Sequence, residues 1–436
     1  MILHSSGYKI NTKDKMSTEN PILKYLEPEF VYFPIVNENF EYTVVVKVDE
    51  RVLKGQPLMY REGRYMHPVC SSVSGIVTAI KKMWHSSGKM IDMLEIQNDF
   101  KEECYYQTDS SFKINRDYII SKVKNAGIVG LGGGAFPTYI KYLPVQKADC
   151  IIINGVECEP YITCDYISML TWPKKVVDGT HYIMIANNAP KAFIAVKRNH
   201  KKAIAALQKE LEGINDIKIV PINDAYPMGW ERVLVKKIVK KNYVSLPREV
   251  NTIVNNVKTA IAVCDAVNDN KPLIENVITI SGEGIKNPCN IITKMGTKLS
   301  KLIELCGGYT IDDGELHLIV GGPLMGNTIP NDELIITPNV NAIIVLPVVK
   351  KSFNYICINC GKCSISCPAF LSPTLIREAF LSKNEKELAI LKADTCVGCG
   401  LCSYVCPSGI NIASFVKSGK KFLLENKKVS TINIRK

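Results

Sequence analysis

The chain has 436 residues, of which 46% are hydrophobic and 22% charged, and its formal net charge is +12 at pH 7. This length predicts two to four domains, and the ordinary balance of apolar and charged residues excludes a mainly disordered or fibrous chain. No apolar run approaches the roughly 18 residues that a membrane-spanning helix needs, and the N-terminus lacks the apolar core of a secretory signal. We therefore expect a cytoplasmic protein without a membrane span.

The positive charge is spread along the chain. Only short clusters occur, such as those at Lys197–Lys202 and Lys236–Lys241. Nucleic-acid binding would need a recognised fold or an aromatic platform, and the sequence contains neither. We expect a solvated surface with lysine in excess and no nucleic-acid partner.

The first hundred residues predict short strands joined by tight turns. Apolar positions alternate in Val44–Leu58 and Ser71–Ile80, and both segments contain turn residues. The pattern resembles the barrel-sandwich fold of biotinyl and lipoyl carrier domains. Carrier domains present a modifiable lysine on a hairpin, but the segment Arg61–Val69 contains none. We therefore expect a packing module that carries no group.

The next segment, Ile119–Val220, alternates strand-like and helix-like runs. The clearest are Ile151–Asn154, Ala192–Lys197, His200–Leu211 and Ile217–Pro221. Such alternation predicts α/β layering around a mostly parallel sheet, in which ligands bind beyond the carboxyl ends of the strands.

Two loops of this segment are candidates for ligand binding. The first, Gly127–Thr138, reads GIVGLGGGAFPT, and its glycines allow backbone N–H groups to approach a phosphate or a flat ring. The second, Asn154–Pro160, reads NGVECEP and places two carboxylates just after a strand. By itself, each loop could equally be a tight turn or a solvated surface.

The cysteines are the most informative residues. There are 16 in the chain, and eight of them lie in two runs of the form C-x-x-C-x-x-C-x-x-x-C-P. The first run is Cys357, Cys360, Cys363 and Cys367, and the second is Cys396, Cys399, Cys402 and Cys406. This spacing is typical of a pair of [4Fe–4S] clusters in which the fourth cysteine of each run binds the other cluster. Zinc is the alternative, but a zinc site does not need a doubled four-cysteine run that ends in proline.

The spacing therefore assigns four thiols to each cluster. One cluster takes Cys357, Cys360, Cys363 and Cys406, and the other takes Cys396, Cys399, Cys402 and Cys367. Between the runs, Thr374–Lys392 has a helical pattern with a polar break, which predicts an inserted helical pair. Of the remaining cysteines, Cys158 and Cys164 flank the second loop, and we expect them to be buried packing residues rather than catalytic thiols.

Four motifs together resemble a known family. GLGGGAFPTYIK at Gly130–Lys141, NGVECEP at Asn154–Pro160, YPMGWE at Tyr226–Glu231 and VNNVKT at Val254–Thr259 occur in this order. The same order is found in the RnfC proteins of the Rnf ion-translocating ferredoxin:NAD⁺ oxidoreductase, and more distantly in the flavin subunit of respiratory complex I. The N-terminal barrel-sandwich and the doubled cysteine run are similar to RnfC in particular.

The resemblance implies an α/β multidomain fold. Its expected parts are a barrel-sandwich domain at 1–100, a Rossmann-like FMN- and NADH-binding α/β domain at 115–265, a β-grasp SLBB domain at 270–348, a helical two-[4Fe–4S] ferredoxin-type domain at 350–420 and a basic tail at 421–436.

The resemblance also implies an FMN site and the residues that form it. Gly130, Gly132, Gly133 and Gly134 would cradle the flavin, and Lys141, Asn154 and Glu157 would bond to it. Asn255, Asn256 and Thr259 would hold its phosphate and ribityl chain, with Tyr226 and Glu231 nearby. Phe136 and Glu159 would contact the NAD(H) nucleotide.

The function implied is electron transfer between NADH and single-electron carriers. FMN would exchange a hydride with NAD(H), and two [4Fe–4S] clusters would pass electrons singly to or from ferredoxin and the membrane subunits of an Rnf-type complex. Such a protein would lie on the cytoplasmic face of the cell membrane. Trp230 departs from the usual RnfC pattern, as in the RnfC-like protein PrdC. The alternative is therefore an electron-transfer protein that serves a soluble reductase such as proline reductase.

Overall fold

The structure is a computed structural model that describes most of the chain. The described residues are 7–10, 15, 17–20, 23–37, 40–85, 89–107, 113–143, 147–243, 245–311, 315–348 and 356–433. Within these ranges, no helix is both long enough and apolar enough to cross a membrane.

The N-terminal part is all β, as its alternating apolar positions predict. Its strands are β1 (Leu23–Leu26), β2 (Phe30–Pro34), β3 (Val36–Asn37), β4 (Phe40–Val44), β5 (Arg51–Val52), β6 (Pro57–Arg61), β7 (Pro68–Cys70), β8 (Gly75–Trp84) and β9 (Met90–Asn98). Two four-stranded sheets form, in the orders β2-β9-β8-β5 and β3-β4-β6-β7. Side chains such as Val31, Leu58 and Ile96 fill a shared core and have 0% exposure.

The central part is the predicted α/β domain. Its elements are α1 (Arg116–Asn125), α2 (Thr138–Tyr142), β10 (Cys150–Gly155), α3 (Cys164–Thr171), α4 (Pro173–Ala186), β11 (Ala192–Lys197), α5 (Lys201–Glu210), β12 (Ile217–Ile222), α6 (Glu231–Val239), β13 (Thr252–Asn256) and α7 (Val257–Asp269). The sheet order is β12-β11-β10-β13, and all pairs are parallel. Strands β10, β11 and β13 are almost wholly buried, as in a parallel sheet whose two faces are covered by helices, whereas the edge strand β12 is only partly buried.

The register of this sheet positions the candidate site. Asn154 on β10 pairs with Asn256 on β13, so the two strands end side by side. The NGVECEP loop and the start of α7 therefore meet at one edge. The glycine-rich loop lies between α1 and α2, and the Leu131 N–H donates to Thr259 Oγ1 on α7 at 3.0 Å.

In the described residues of 275–347, the third part is a mixed sheet with one helix. Its elements are β14 (Glu275–Ser281), β15 (Cys289–Lys294), α8 (Leu299–Leu305), β16 (Leu316–Val320), β17 (Asn327–Ile329) and β18 (Ala342–Pro347). The strand order is β1-β15-β14-β18-β16-β17. Strand β1, from the N-terminal segment, pairs in parallel with β15 and completes this sheet.

The C-terminal part is helical and surrounds the cysteine runs. Its helices are α9 (Lys362–Ile365), α10 (Pro373–Leu381), α11 (Glu385–Ile390), α12 (Leu401–Tyr404) and α13 (Ile412–Asn433). Helices α10 and α11 form the helical pair that the sequence predicts between the runs. Helix α13 continues through residues 421–433, so this stretch of the expected tail is helical, while 434–436 lie outside the described residues.

A tight contact between two helices of the central domain gives a test of the packing. A Cβ atom at Gly179 on α4 would lie 1.9 Å from the carbonyl oxygen of Ala260 on α7. We expect Gly179→Ala to force these helices apart and to lower the free energy of unfolding by about 1–3 kcal/mol. Chemical denaturation of the variant measures this loss. Asp178→Ala, a change at a partly exposed neighbour on the same helix, is the control. Equal stability of the two variants would contradict the contact.

Candidate functional site

A cavity of about 340 Å³ opens where β10 and β13 end. Twelve of the fourteen predicted cofactor-binding residues line it: Gly130, Gly132, Gly134, Phe136, Lys141, Asn154, Glu157, Glu159, Glu231, Asn255, Asn256 and Thr259. The structure therefore brings together motifs that are more than a hundred positions apart in the sequence. We refer to this space as the central cavity.

The other two predicted residues lie just outside the central cavity. Gly133 lines a neighbouring cavity of about 300 Å³, which faces the barrel-sandwich part. Tyr226 is 1% exposed and lies behind Glu159, with its hydroxyl 3.1 Å from Oε1 of that carboxylate.

The glycine-rich loop presents bare backbone to its surroundings. A Cβ atom at Gly133 or Gly134 would meet no protein atom within 4 Å, whereas one at Gly132 would lie 3.3 Å from Asn256 Cβ. The loop is closed by the bond from Gly130 N–H to the Phe136 carbonyl at 2.9 Å. Gly133 has φ of +95°, a conformation that glycine adopts without strain. The loop can therefore lie close against a flat ring.

The start of α7 lies beside the glycine-rich loop and forms the next part of the cavity wall. Asn256 caps this helix by accepting from the Lys258 N–H at 2.8 Å, and its Nδ2 donates to Asp165 Oδ2 at 2.6 Å. A helix N-terminus favours negative charge because its first N–H groups and its dipole point outward.

Asn255 adds a buried donor beside that helix. Its side chain is 3% exposed, and its Nδ2 makes no hydrogen bond of good geometry with any described residue, although the buried Tyr142 hydroxyl lies nearby. A buried donor without an acceptor costs about 1–3 kcal/mol. This amide is therefore well placed to donate to an oxygen of a bound ligand.

The carboxylates of Glu157 and Asp165 lie close together at the central cavity. Glu157 Oε1 accepts from the Asp165 N–H at 2.8 Å, at the first turn of α3. Burial, together with the charge of Glu157, raises the pKa of Asp165 to about 7. The sequence analysis missed Asp165, because an acidic residue in the first turn of a helix is common without any ligand.

Buried cations balance this acidic pocket. Lys258 Nζ donates to the Val277 carbonyl at 2.7 Å and lies 3.4 Å from Cys164 Sγ. Lys15 donates to the carbonyl oxygens of Glu157 and Ile162. The sequence analysis assigned no role to either lysine, because no local pattern distinguishes them from the many lysines of the surface.

Glu159 lies between the central cavity and the cysteine-rich part. Its Oε2 accepts from the Leu324 N–H at 3.1 Å. Burial raises the pKa of Glu159 to about 7. The Tyr226 hydroxyl donates to the Cys399 carbonyl at 2.5 Å, and it has a single hydrogen. The same hydroxyl lies 3.1 Å from Glu159 Oε1, where a donated hydrogen favours the charged carboxylate and opposes the effect of burial on its pKa.

Lys141 and Trp230 close other sides of the central cavity. Lys141 Nζ donates to the Val254 carbonyl at 2.8 Å, and burial lowers the pKa of this amine. The Trp230 ring lies 5.5 Å from the guanidinium of Arg232 and forms part of the cavity wall. Trp230 is thus a wall residue of the site.

The four cysteines that the spacing assigns to one of the two clusters lie together in the structure. An apolar cavity is lined by Cys367, Cys396, Cys399 and Cys402, which we call the Cys399 thiol set. Burial raises the pKa of Cys399 and of Cys402 to about 12. Four thiols converging in an apolar cavity fit an iron–sulfur cube, in which thiolate charge is balanced by iron.

The remaining four predicted ligands are Cys357, Cys360, Cys363 and Cys406, which we call the Cys360 thiol set. Cys363 is 6% exposed and belongs to the core of the C-terminal part, and Cys357 and Cys406 pack against that core. Cys360 is exposed.

The two cysteines near the NGVECEP loop behave as packing residues. Cys164 has 0% exposure, and burial raises its pKa well above the ordinary range. Burial also raises the pKa of Cys158 to about 11. Both thiols stay protonated at neutral pH, which disfavours a nucleophilic role.

Family models match the chain in four consecutive segments. The RnfC barrel sandwich hybrid domain matches residues 4–101, and the Nuo51 FMN-binding domain matches 123–265. The SLBB domain matches 277–328, and the 4Fe-4S dicluster domain matches 356–410. These matches confirm the predicted fold class and the relation to the flavin protein of complex I. They also confirm FMN and iron–sulfur clusters as the cofactors.

The chain is also similar to solved structures and to named proteins. A chain of NAD⁺-reducing [NiFe]-hydrogenase in the H₂-reduced state has a TM-score of 0.50 and 19% identity, over 71% of this chain and 63% of that one. At this identity the likeness concerns the fold alone, and the match spans less than two thirds of that chain.

Curated relatives are much closer in sequence. The RnfC-type protein of the proton-translocating ferredoxin:NAD(+) oxidoreductase complex of Clostridium ljungdahlii is 34% identical over 85% of this chain and 82% of that protein. Its counterpart in the Na(+)-translocating complex of Acetobacterium woodii is 33% identical over 84% of each. The counterpart in the ion-translocating oxidoreductase complex of Rhodobacter capsulatus is 32% identical over 84% of this chain and 73% of that protein. The chain belongs to the RnfC family of ion-translocating oxidoreductase complexes.

Proposed function

We propose that this chain exchanges a hydride between NAD(H) and FMN and relays single electrons through two [4Fe–4S] clusters. The electrons pass to or from partner subunits of an Rnf-type ferredoxin:NAD⁺ oxidoreductase that is coupled to ion translocation. The observation that carries the proposal is the position of the central cavity, which is joined to the Cys399 thiol set by the Tyr226 hydrogen bond.

The walls of the central cavity fit the parts of FMN. The N-terminus of α7, with Asn255, Asn256 and Thr259, holds the phosphate and the ribityl chain. The loop Gly130–Gly134 lies against the ring system, and Lys141, Asn154 and Glu157 surround its polar edge. Flavin accepts the two electrons of a hydride and releases them one at a time, which suits one-electron clusters.

The nicotinamide nucleotide enters beside Phe136 and Glu159. Phe136 is 39% exposed at the cavity, and its ring lies edge-on to Tyr65 at 5.7 Å. An aromatic ring held in this way offers a stacking face to a planar base. Glu159, held by the Leu324 N–H, offers an oxygen to a polar group of the nucleotide.

The partners are the other subunits of the complex and ferredoxin. The relatives are named as parts of translocating complexes, and ion movement across a bilayer has to occur in membrane-spanning chains. We propose that this chain docks on such subunits at the cytoplasmic face of the membrane.

The direct test is anaerobic reduction of the reconstituted protein by NADH. With FMN and both clusters in place, NADH bleaches the flavin absorbance and then the iron–sulfur absorbance. Fully loaded protein that stays oxidised under NADH, but is reduced by dithionite, would overturn the proposed donor.

The glycine-rich loop gives a prediction about FMN retention. In Gly133→Val, a β-branched residue has to adopt φ near +95°, which strains the loop. We expect the variant to lose FMN while both clusters remain, as measured by flavin release and iron content. Gly213→Val is the matched control, because Gly213 also has positive φ (+81°) and no atom within 4 Å of an added Cβ. Full FMN occupancy in Gly133→Val would refute the role of the loop.

The cysteine assignment gives a prediction about iron content. Cys399→Ala removes one ligand of a single cluster, so we expect half of the iron and sulfide to be lost. Electron paramagnetic resonance of the reduced variant should show one remaining [4Fe–4S] signal. Cys264→Ala, at a buried thiol on α7, is the control and keeps the full iron content. An unchanged iron count in Cys399→Ala would contradict the assignment.

The raised pKa of Glu159 gives a pH prediction. The folded chain keeps this proton up to about pH 7, whereas the unfolded chain loses it near the ordinary value of 4.5. Stability therefore falls as pH rises through this window, because the folded state binds more protons. Glu159→Gln has no carboxyl group that titrates at this position. The thermal midpoint of the variant minus that of the unchanged protein should therefore increase from pH 5 to pH 7. Parallel profiles of the two proteins would speak against a buried proton at Glu159.

A further inference from the structure

We infer that the two clusters have fixed places in the electron path and that Tyr226 is the residue that positions one of them against the flavin. The cluster of the Cys399 thiol set exchanges electrons with the flavin, and the cluster of the Cys360 thiol set exchanges them with the partner. This inference rests on the proposed function and assigns an order to its carriers.

The first observation is a continuous hydrogen-bonded contact. Glu159 lines the central cavity, its Oε1 lies 3.1 Å from the Tyr226 hydroxyl, and that hydroxyl donates to the Cys399 carbonyl at 2.5 Å. Tyr226 is 1% exposed, so the bond to the ligand loop is shielded from water. Among the described residues of the Cys360 thiol set, no hydrogen bond to Tyr226 or to a residue that lines the central cavity occurs.

The second observation is close packing of the ligand loop on the cavity wall. A Cβ atom at Gly400, next to Cys399, would lie 2.3 Å from the Leu324 carbonyl, and Leu324 N–H binds Glu159. Cys158, which lines the central cavity, packs in the same small apolar cluster as Cys399 and Tyr226.

Trp230 supplies a third contact between the two regions. It lines the central cavity and also a groove that contains Cys396 and Gly398 of the ligand loop. The wall residue that departs from the family pattern thus lies between the flavin site and the Cys399 thiol set.

The Cys360 thiol set has the opposite surroundings. Cys360 is exposed, whereas no cysteine of the Cys399 thiol set is. The neighbouring apolar side chains Ile356, Ile358 and Ile365 are 63%, 63% and 65% exposed. Three large exposed apolar side chains around a ligand loop mark a surface that another protein covers. We therefore place the partner, which has its own one-electron centre, at this surface.

The electron balance follows from this order. A hydride from NADH brings two electrons, which leave the flavin in two separate steps. Each electron reduces the cluster of the Cys399 thiol set, which is reoxidised when the electron moves to the cluster of the Cys360 thiol set. That cluster is reoxidised in turn by the oxidised partner, so two partner centres are reduced for each NADH. The reverse sequence applies when NAD⁺ is reduced.

Removal of single clusters tests the order in the full chain. Rapid-freeze paramagnetic resonance follows one turnover after NADH is added to Cys399→Ala and to Cys360→Ala. We expect Cys360→Ala to reduce its remaining cluster at the rate of the unchanged protein. We expect Cys399→Ala to reduce its flavin but to lose rapid reduction of its remaining cluster. The opposite pattern would overturn the order.

A milder substitution keeps the test valid if a cysteine variant does not fold. Tyr226→Phe removes one hydroxyl and keeps the ring, so both clusters should remain at full iron content. In the unchanged protein, the hydrogen bond from Tyr226 to the Cys399 carbonyl stabilises the additional negative charge of the reduced cluster. Tyr226→Phe removes this stabilisation. The midpoint potential of this cluster should shift to a more negative value, and that of the other cluster should stay constant.

Tyr309→Phe is the matched control for this substitution. Its hydroxyl donates to Asp332 at 2.9 Å in the third part of the chain, so its loss should leave both potentials unchanged. Equal potentials in Tyr226→Phe and the unchanged protein would remove Tyr226 from the inference.

The order can be tested apart from the nucleotide. Photoexcitation of the bound FMN, with EDTA as the sacrificial electron donor that is oxidised, reduces the flavin and starts electron transfer without NADH. If NADH fails but light reduces the clusters in the expected order, the proposed donor is wrong and the order stands. If NADH and light each reduce the cluster of the Cys360 thiol set in Cys399→Ala as fast as in the unchanged protein, the order is wrong and the proposed function stands.

Discussion

The parallel pairing of β10 with β13 is the constraint on which the site depends. It sets Asn154 opposite Asn256 and so brings the NGVECEP loop and the N-terminus of α7 to one sheet edge. The glycine-rich loop is then fixed to α7 by Thr259. A slip of one residue would turn these side chains to opposite faces of the sheet, and the cavity would lose its polar wall.

Burial of charge is the cost of this arrangement. Glu157 and Asp165 lie together, and burial raises the pKa of Asp165. Lys15 and Lys258 approach them from other segments of the chain. Buried charges are tolerated only when they are paired or hydrogen-bonded. The site is therefore held by residues from separate segments of the chain rather than by its loops alone.

The sequence predicted the elements that follow local patterns and missed the contacts between distant ones. Strand Ala192–Lys197 matches the expected range, because a short and almost continuous apolar run is typical of a buried strand of a parallel sheet. The crossed grouping of Cys367 with the second cysteine run follows from spacing. Asp165 and Lys258 carry no motif, and only the fold brings them to the site. The bond from Tyr226 to Cys399 joins residues 173 positions apart, which no local pattern encodes.

The position of strand β1 has a consequence for how the chain can be divided. Leu23–Leu26 precede the barrel-sandwich sheets but complete the edge of the sheet formed by residues 275–347. A fragment that starts after residue 100 would leave β15 with unsatisfied backbone groups along its outer side. Such a bare edge recruits strands from other molecules. The N-terminal segment therefore contributes a strand to the sheet of another domain. Recombination of that domain into a different protein during evolution would require a new strand beside β15.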